Sequence, residues 1–171
     1  MPIFSSTIID HVSNTMPQPY YRFDGSNDKV SIGTSFFNSQ SNGTISVLVK
    51  YNTIDSVSSA SLYYENPTII CKGNIYMSLT NDNNFKPMLY YYSSGGAAVF
   101  SIKGTTTLVV DKWYHIIYAW TPTTSKIYVN GVLEGDYTNV GIGYNIHSGH
   151  VDSQTEIGNS GGSHSTTWFD G

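Results

Sequence analysis

Apolar and polar positions alternate in short runs along most of the chain. No stretch of about a dozen residues repeats apolar positions at helical spacing without a Gly, Pro or Asn-rich break. Runs of β-branched and aromatic residues, each bounded by turn-forming types, predict strands over Tyr20–Phe23, Lys29–Ile32, Thr44–Tyr51, Ser61–Tyr64, Thr68–Cys71, Ile75–Thr80 and Met88–Tyr92. The series continues with Ala97–Ile102, Thr107–Val110, Trp113–Trp120, Lys126–Asn130, Val132–Glu134, Gln154–Ile157 and Thr166–Phe169. Strands spaced this closely predict an all-β sandwich or barrel with almost no helix.

The sharpest local signal is Lys126 to Glu134, where Asn130-Gly131 supplies the two positive-φ positions of a type I′ hairpin between alternating strands. Thr121 to Ser125 is a turn by composition, so Trp113–Trp120 should run antiparallel into Lys126–Asn130. Trp113, His115, Ile117 and Ala119 fall on one face of their strand and Tyr114, Ile116, Tyr118 and Trp120 on the other. Both faces are apolar, which predicts a central strand covered on both sides, with His115 as a hydrogen-bonded core histidine. Residues 1–18 read as an arm or first edge strand before a sandwich over 19–171, and residues 141–165 read as a long surface excursion.

Composition narrows the function. Charged residues make up 12% of the 171, against roughly 25% in an average soluble protein, and the net charge is −4. Arg22 is the only arginine, so the Lys/Arg patch that nucleic acid requires is missing. No apolar run approaches the roughly 20 residues of a membrane helix. Cys71 is the only cysteine, which excludes an internal disulfide, a cysteine zinc cluster and a CxxC redox site. The start, Met1 to Ser6, lacks the basic and apolar regions of a secretory signal.

Three segments, in order, resemble the concanavalin A-like jelly rolls, specifically the laminin-G-like and pentraxin-like group. The first is Phe23-Asp24-Gly25-Ser26-Asn27-Asp28-Lys29-Val30-Ser31-Ile32, followed by the strand Thr44 to Lys50. The second is Leu108 to Trp120, with Trp113 and His115 at its centre, followed by the hairpin at Asn130 and Gly131. The third is Glu156-Ile157-Gly158 followed by Trp168-Phe169-Asp170-Gly171. The resemblance implies a two-sheet antiparallel jelly-roll sandwich. The family's frequent Trp in the early strand is Leu48 here, and the sequence stops where the family usually continues into a last strand.

Related jelly rolls include glycoside hydrolases that carry carboxylates as E-x-D-x-x-E on one strand, where alternation aims acid and nucleophile at one face. The nearest match, Glu134 to Asn139, lacks the final carboxylate, so the chain reads as non-catalytic. There is no Gly-x-Ser-x-Gly, and Cys71, in a β-rich run before Lys72, reads as a buried thiol rather than an activated one. His147, His150 and Asp152, with His164 nearby, offer metal-ligand types on a loop too rich in Gly and Ser to fix them. Calcium is the family's usual ion, and Asp24, Asp28 and Asp82 are the oxygen donors the resemblance puts forward.

A pyranose has apolar C–H faces and a rim of hydroxyls, so its recognition uses an aromatic platform beside amide and carboxylate groups. Asn83 and Asn84 followed by Tyr90 and Tyr92 supply those ingredients, and Trp168 is a second platform; the competing reading is that the tyrosines simply cover the sheets. The expected function is a non-catalytic structural or adhesion module of an extracellular or virion surface, able to bind glycans. A stand-alone lectin domain is the alternative, and a glycoside hydrolase the more distant one. A sandwich without its last strand would also be expected to self-associate by strand or arm exchange.

Overall fold

The computed structural model describes residues 20–34, 42–54, 67–72, 75–80, 84–92, 98–138, 154–159 and 168–171. The predicted arm over residues 1–18, the Ser61–Tyr64 strand and, of the predicted excursion over 141–165, residues 141–153 and 160–165 lie outside them, while its residues 154–159 are described. The described residues contain no helix. They form ten strands: β1 (Val30–Gly33), β2 (Gly43–Lys50), β3 (Thr68–Lys72), β4 (Ile75–Leu79), β5 (Pro87–Tyr92), β6 (Ala98–Lys103), β7 (Trp113–Trp120), β8 (Thr124–Val129), β9 (Val132–Thr138) and β10 (Thr155–Ile157).

Two antiparallel sheets result, one of six strands in the order β1-β10-β3-β4-β5-β6 and one of four in the order β2-β7-β8-β9. This is the jelly-roll sandwich that the resemblance implies, where the strand pattern alone left a sandwich or a barrel. Side-chain alternation builds the core. Val30, Ile157, Ile70, Met77, Leu89 and Ile102 stand in register across all six strands of the first sheet. Ile45, Val49, Tyr114, Ile116, Tyr118, Trp120, Ile127 and Val129 of the second sheet join them in one buried cluster. Each fully buried aliphatic here contributes on the order of 1.5–3 kcal/mol by leaving water.

Strand β7 lies between β2 and β8, and the hairpin from β8 to β9 turns on Asn130 (φ 50°) and Gly131 (φ 82°) as the sequence predicts. The expected cover on both of its faces is not found. Tyr114, Ile116, Tyr118 and Trp120 are buried, but Trp113 is 42% exposed and His115, Ile117 and Ala119 are only half-buried. An apolar face records what a strand could pack against, not whether a layer lies over it. His115 is accordingly no core residue. Its Nε2 lies 2.7 Å from Ser46 Oγ, and its main-chain N–H donates to Asn130 Oδ1 at 3.0 Å, which ties the hairpin turn to the start of β7.

Two predicted strands are loops. Tyr20–Phe23 leads only to a single bridge between Asp24 and Asp170. In Thr107–Val110, Leu108 plugs the core and its N–H donates to Phe85 O, while Val109 and Val110 are exposed. Residues 168 and 169 of the predicted Thr166–Phe169 strand are likewise not strand.

The sheets are tied at both margins. On one side, a bulge in β9 leaves Glu134 without a cross-strand partner, between the pairs Tyr128–Leu133 and Ile127–Gly135. Its Oε2 accepts from Thr105 N and Thr106 N, both at 2.9 Å, and Oε1 from Thr106 Oγ1, in the loop that follows β6. On the other, Phe23 and Gly171 exchange two main-chain hydrogen bonds of 2.8 and 3.2 Å, and Asn52 N donates to Asp170 O at 3.0 Å. These contacts lend no support to the expected exchange of strands between copies.

Candidate functional site

Antiparallel pairing brings the ends of β2, β4, β8 and β10 and the beginnings of β3, β5, β7 and β9 to one end of the sandwich. The loops there form a rim. Behind it, Phe169 packs edge-on against Phe23 and Tyr51, with centroids 5.5 and 4.7 Å apart. Three non-glycine residues adopt left-handed φ on this rim: Phe85 (44°), Asp111 (61°) and Asn130 (50°).

Of the sugar-binding candidates, Asn84 and Trp168 come to this same end, Asn84 exposed at the start of β5 and Trp168 half-buried beside the end of β10. Asn83 lies outside the described residues, as does the side chain of Tyr92. Tyr90 cannot act as a platform: it is fully buried, in a second cluster with Cys71, Tyr76 and Met88 on the face of the six-stranded sheet away from the main core. Alternation does place Tyr90 opposite its neighbours, but the sequence does not say that both faces of β5 are covered.

The calcium candidates Asp24 and Asp28 shape their own turn. Asp24 Oδ1 accepts from Ser26 N at 2.8 Å and Asn27 N at 3.2 Å, and Asp28 Oδ2 accepts from Asp24 N at 3.1 Å. The Ser26 amide holds the Asp24 carboxyl below the usual range, against the opposing effect of burial. Asp82 lies outside the described residues, as do His147, His150, Asp152 and His164. Among the described residues no group of three or more His, Cys, Asp or Glu could hold a metal ion.

Every described carboxylate has a structural partner. Asp170 accepts from Asn52 Nδ2 at 3.0 Å and Thr53 Oγ1 at 2.6 Å. Glu156, buried, receives Lys29 Nζ at 2.7 Å and Asn159 Nδ2 at 2.9 Å. Asp136 pairs with Lys126 at 3.6 Å and Asp111 with Lys50 at 3.5 Å. The bulge sends Glu134 to Thr105 and Thr106, so Glu134 and Asp136 do not form the acid pair that strand alternation would give them. Cys71 is buried, and burial, aided by the charge of Glu156, pushes its thiol up to about 12. Lys72 does not activate it, because its ammonium reaches Thr34 O at 2.5 Å.

Sequence reasoning missed an exposed aromatic step beside the rim. Tyr20 and Trp113 pack edge to face, 5.4 Å between centroids at 73°, next to Tyr21, Leu48 and the Lys50–Asp111 pair. The signal was the apolar outer face of β7 beside the mostly polar one of β2 (Thr44, Ser46 and Lys50, with Leu48 the exception), which marks a face open to water.

Residues 24–171 match the family described as the concanavalin A-like lectin/glucanases superfamily, of laminin-G type, and the chain belongs to it. Among solved structures it is similar to domain 4 of AbnA, a GH43 extracellular arabinanase from Geobacillus stearothermophilus, in complex with arabinotriose. That match has 18% identity and a TM-score of 0.62, over 88% of this chain and 65% of that one. A putative carbohydrate-binding protein from Bacteroides ovatus gives 17% identity and a TM-score of 0.56, over 88% of this chain and 40% of that one. Domains LG4-5 of the mouse laminin α1 chain give 10% and 0.53, over 87% and 38%. The chain thus spans less than two thirds of the length of each. No curated protein matches it by sequence. Among the described residues no helix is long and apolar enough to cross a membrane.

Proposed function

We propose that the chain is a non-catalytic glycan-binding module of an extracellular or virion surface assembly, with Asn84 and Trp168 on the loop rim among its sugar contacts. The observation that carries this reading is that, in a chain of the lectin/glucanase superfamily, each described carboxylate is paired or hydrogen-bonded within the chain, with Glu134 and Glu156, the two described glutamates, turned to structural partners. Glycoside hydrolysis needs one acid free to give up a proton and a second within several ångströms of it. Recognition needs only aromatic surface and hydrogen-bonding groups held in place. The surface setting is supported by the scarcity of charge, with polarity supplied by Ser, Thr, Asn and Tyr.

The test is glycan-array binding by the chain and its Trp168→Ala variant, alongside a reducing-end assay on the same glycans. Binding without sugar release, weakened in Trp168→Ala with the melting temperature held, is the expected result. Sugar release that disappears in Glu134→Gln would overturn the non-catalytic assignment, and the absence of binding to any glycan would overturn the whole reading.

A further inference from the structure

We propose that the Tyr20–Trp113 step is a second sugar site, separate from Asn84 and Trp168, which takes the apolar face of a neutral pyranose within a longer polysaccharide. This rests on the glycan-binding reading and adds its place and the class of sugar. Trp113 is 42% exposed and Tyr20 is 41% exposed, and the edge-to-face contact of their rings leaves both residues open to solvent. A ring pair held in this way offers a plate and a wall, the surface that matches a sugar's C–H face and ring edge.

The polar partners stand where a hydroxyl rim would reach them. Lys50 is the cross-strand partner of Trp113, and its ammonium lies 3.5 Å from the carboxylate of Asp111, two residues ahead of Trp113. That carboxylate is 77% exposed, so it keeps room to accept from a hydroxyl. The backbone that carries it is fixed: Asp111 sits at φ 61° with its N–H donating to Tyr51 O at 2.8 Å. An adjacent ammonium and carboxylate together donate to and accept from vicinal hydroxyls and carry no net charge, which favours a neutral sugar over an acidic one. The site lies on an open sheet face, so it suits an internal stretch of a polymer rather than a chain end held in a pocket.

Affinity electrophoresis of the full chain through native gels containing soluble β-glucan, arabinan, galactan or xylan tests this. Retardation by at least one polymer is expected, surviving about 0.5 M sodium chloride because charge attraction is not its source. Trp113→Ala should weaken it by about tenfold or more, the equivalent of one stacking contact. Asp111→Asn, which keeps a residue type tolerant of left-handed φ, should weaken it without loss of folding. Retardation unchanged in Trp113→Ala but reduced in Trp168→Ala would overturn this site and leave the rim reading standing. No retardation by any polymer would overturn both. A change in sedimentation of Trp113→Ala with retardation unchanged would overturn it in favour of a contact between protein copies.

Discussion

Replacing Glu134 with Gln removes the charge from the tie between β9 and the loop after β6 while keeping the side chain's length. The carboxylate takes three hydrogen bonds, from Thr105 N, Thr106 N and Thr106 Oγ1. Charge-assisted bonds are each worth roughly 1.5–3 kcal/mol when buried, but Glu134 is only half-buried and water can replace part of each. A loss of about 2 kcal/mol in all is the reasonable sum, which lowers the melting temperature of a chain this size by about 4–8 °C. Burial pushes the carboxyl's pKa up, but the Thr106 and Thr105 bonds outweigh it and hold the group below its usual range. The sign follows. A depressed folded pKa gives stability that is fully present above the unfolded value near 4.3 and lost as pH falls through the folded one. Thermal unfolding followed by circular dichroism should therefore show the full gap between wild type and Glu134→Gln at about pH 7 and a closing gap below about pH 4. Asp24, also depressed, is common to both proteins and cancels. A gap under about 1 °C at neutral pH, or one that stays constant into acid, would refute the reasoning.

Further predictions concern the thiol and two glycines. Cys71, with its thiolate disfavoured by burial, should react with iodoacetamide at about pH 8 only when the chain is unfolded in guanidinium; native labelling at the rate of a free thiol would contradict its placement. Gly131→Ala meets open space and only a left-handed φ, so it should cost about 1 kcal/mol in urea titration. Gly43→Ala would put its Cβ 2.1 Å from Trp120 Cζ2 and should cost more, about 2–3 kcal/mol; a smaller loss than for Gly131→Ala would mean that Trp120 moves freely.

Much of the sandwich is legible in the sequence because each strand carries its own period and its own punctuation. Asn130-Gly131 specifies its turn by φ alone, and the alternation from Trp113 to Trp120 correctly sorts Tyr114, Ile116, Tyr118 and Trp120 to one side. What alternation lacks is any record of the layer above. It gives Trp113 and Tyr90 equal claims to burial or exposure, and the structure resolves them in opposite senses, Trp113 open and Tyr90 sealed. The loop Thr107–Val110 misleads for a related reason. Its β-branched residues suit a strand, but Leu108 is needed as a plug, and the left-handed turn at Asp111 ends any extended run. The partners of the acids are invisible for a different reason: Glu134 meets Thr105 and Thr106 across the sandwich, a contact that depends on a bulge with no distinct sequence mark.

The two margins of the sandwich respond to different conditions. One rests on the Glu134 carboxylate and loosens when that carboxylate takes up a proton; the other joins the Asp170 carboxylate to main-chain hydrogen bonds among Phe23, Asn52 and the Asp170–Gly171 segment, and those main-chain bonds remain when Asp170 is protonated. Acid should thus loosen the β6–β9 margin, like the fore-edge of a book, more than the Phe23–Gly171 spine, which keeps its main-chain ties, while the shared core holds the two sheets together. The loop rim runs between these margins, so in acid the loss falls most heavily at Thr105 and Thr106, while the chain beside Trp168 stays joined through the Phe23–Gly171 and Asn52–Asp170 main-chain bonds.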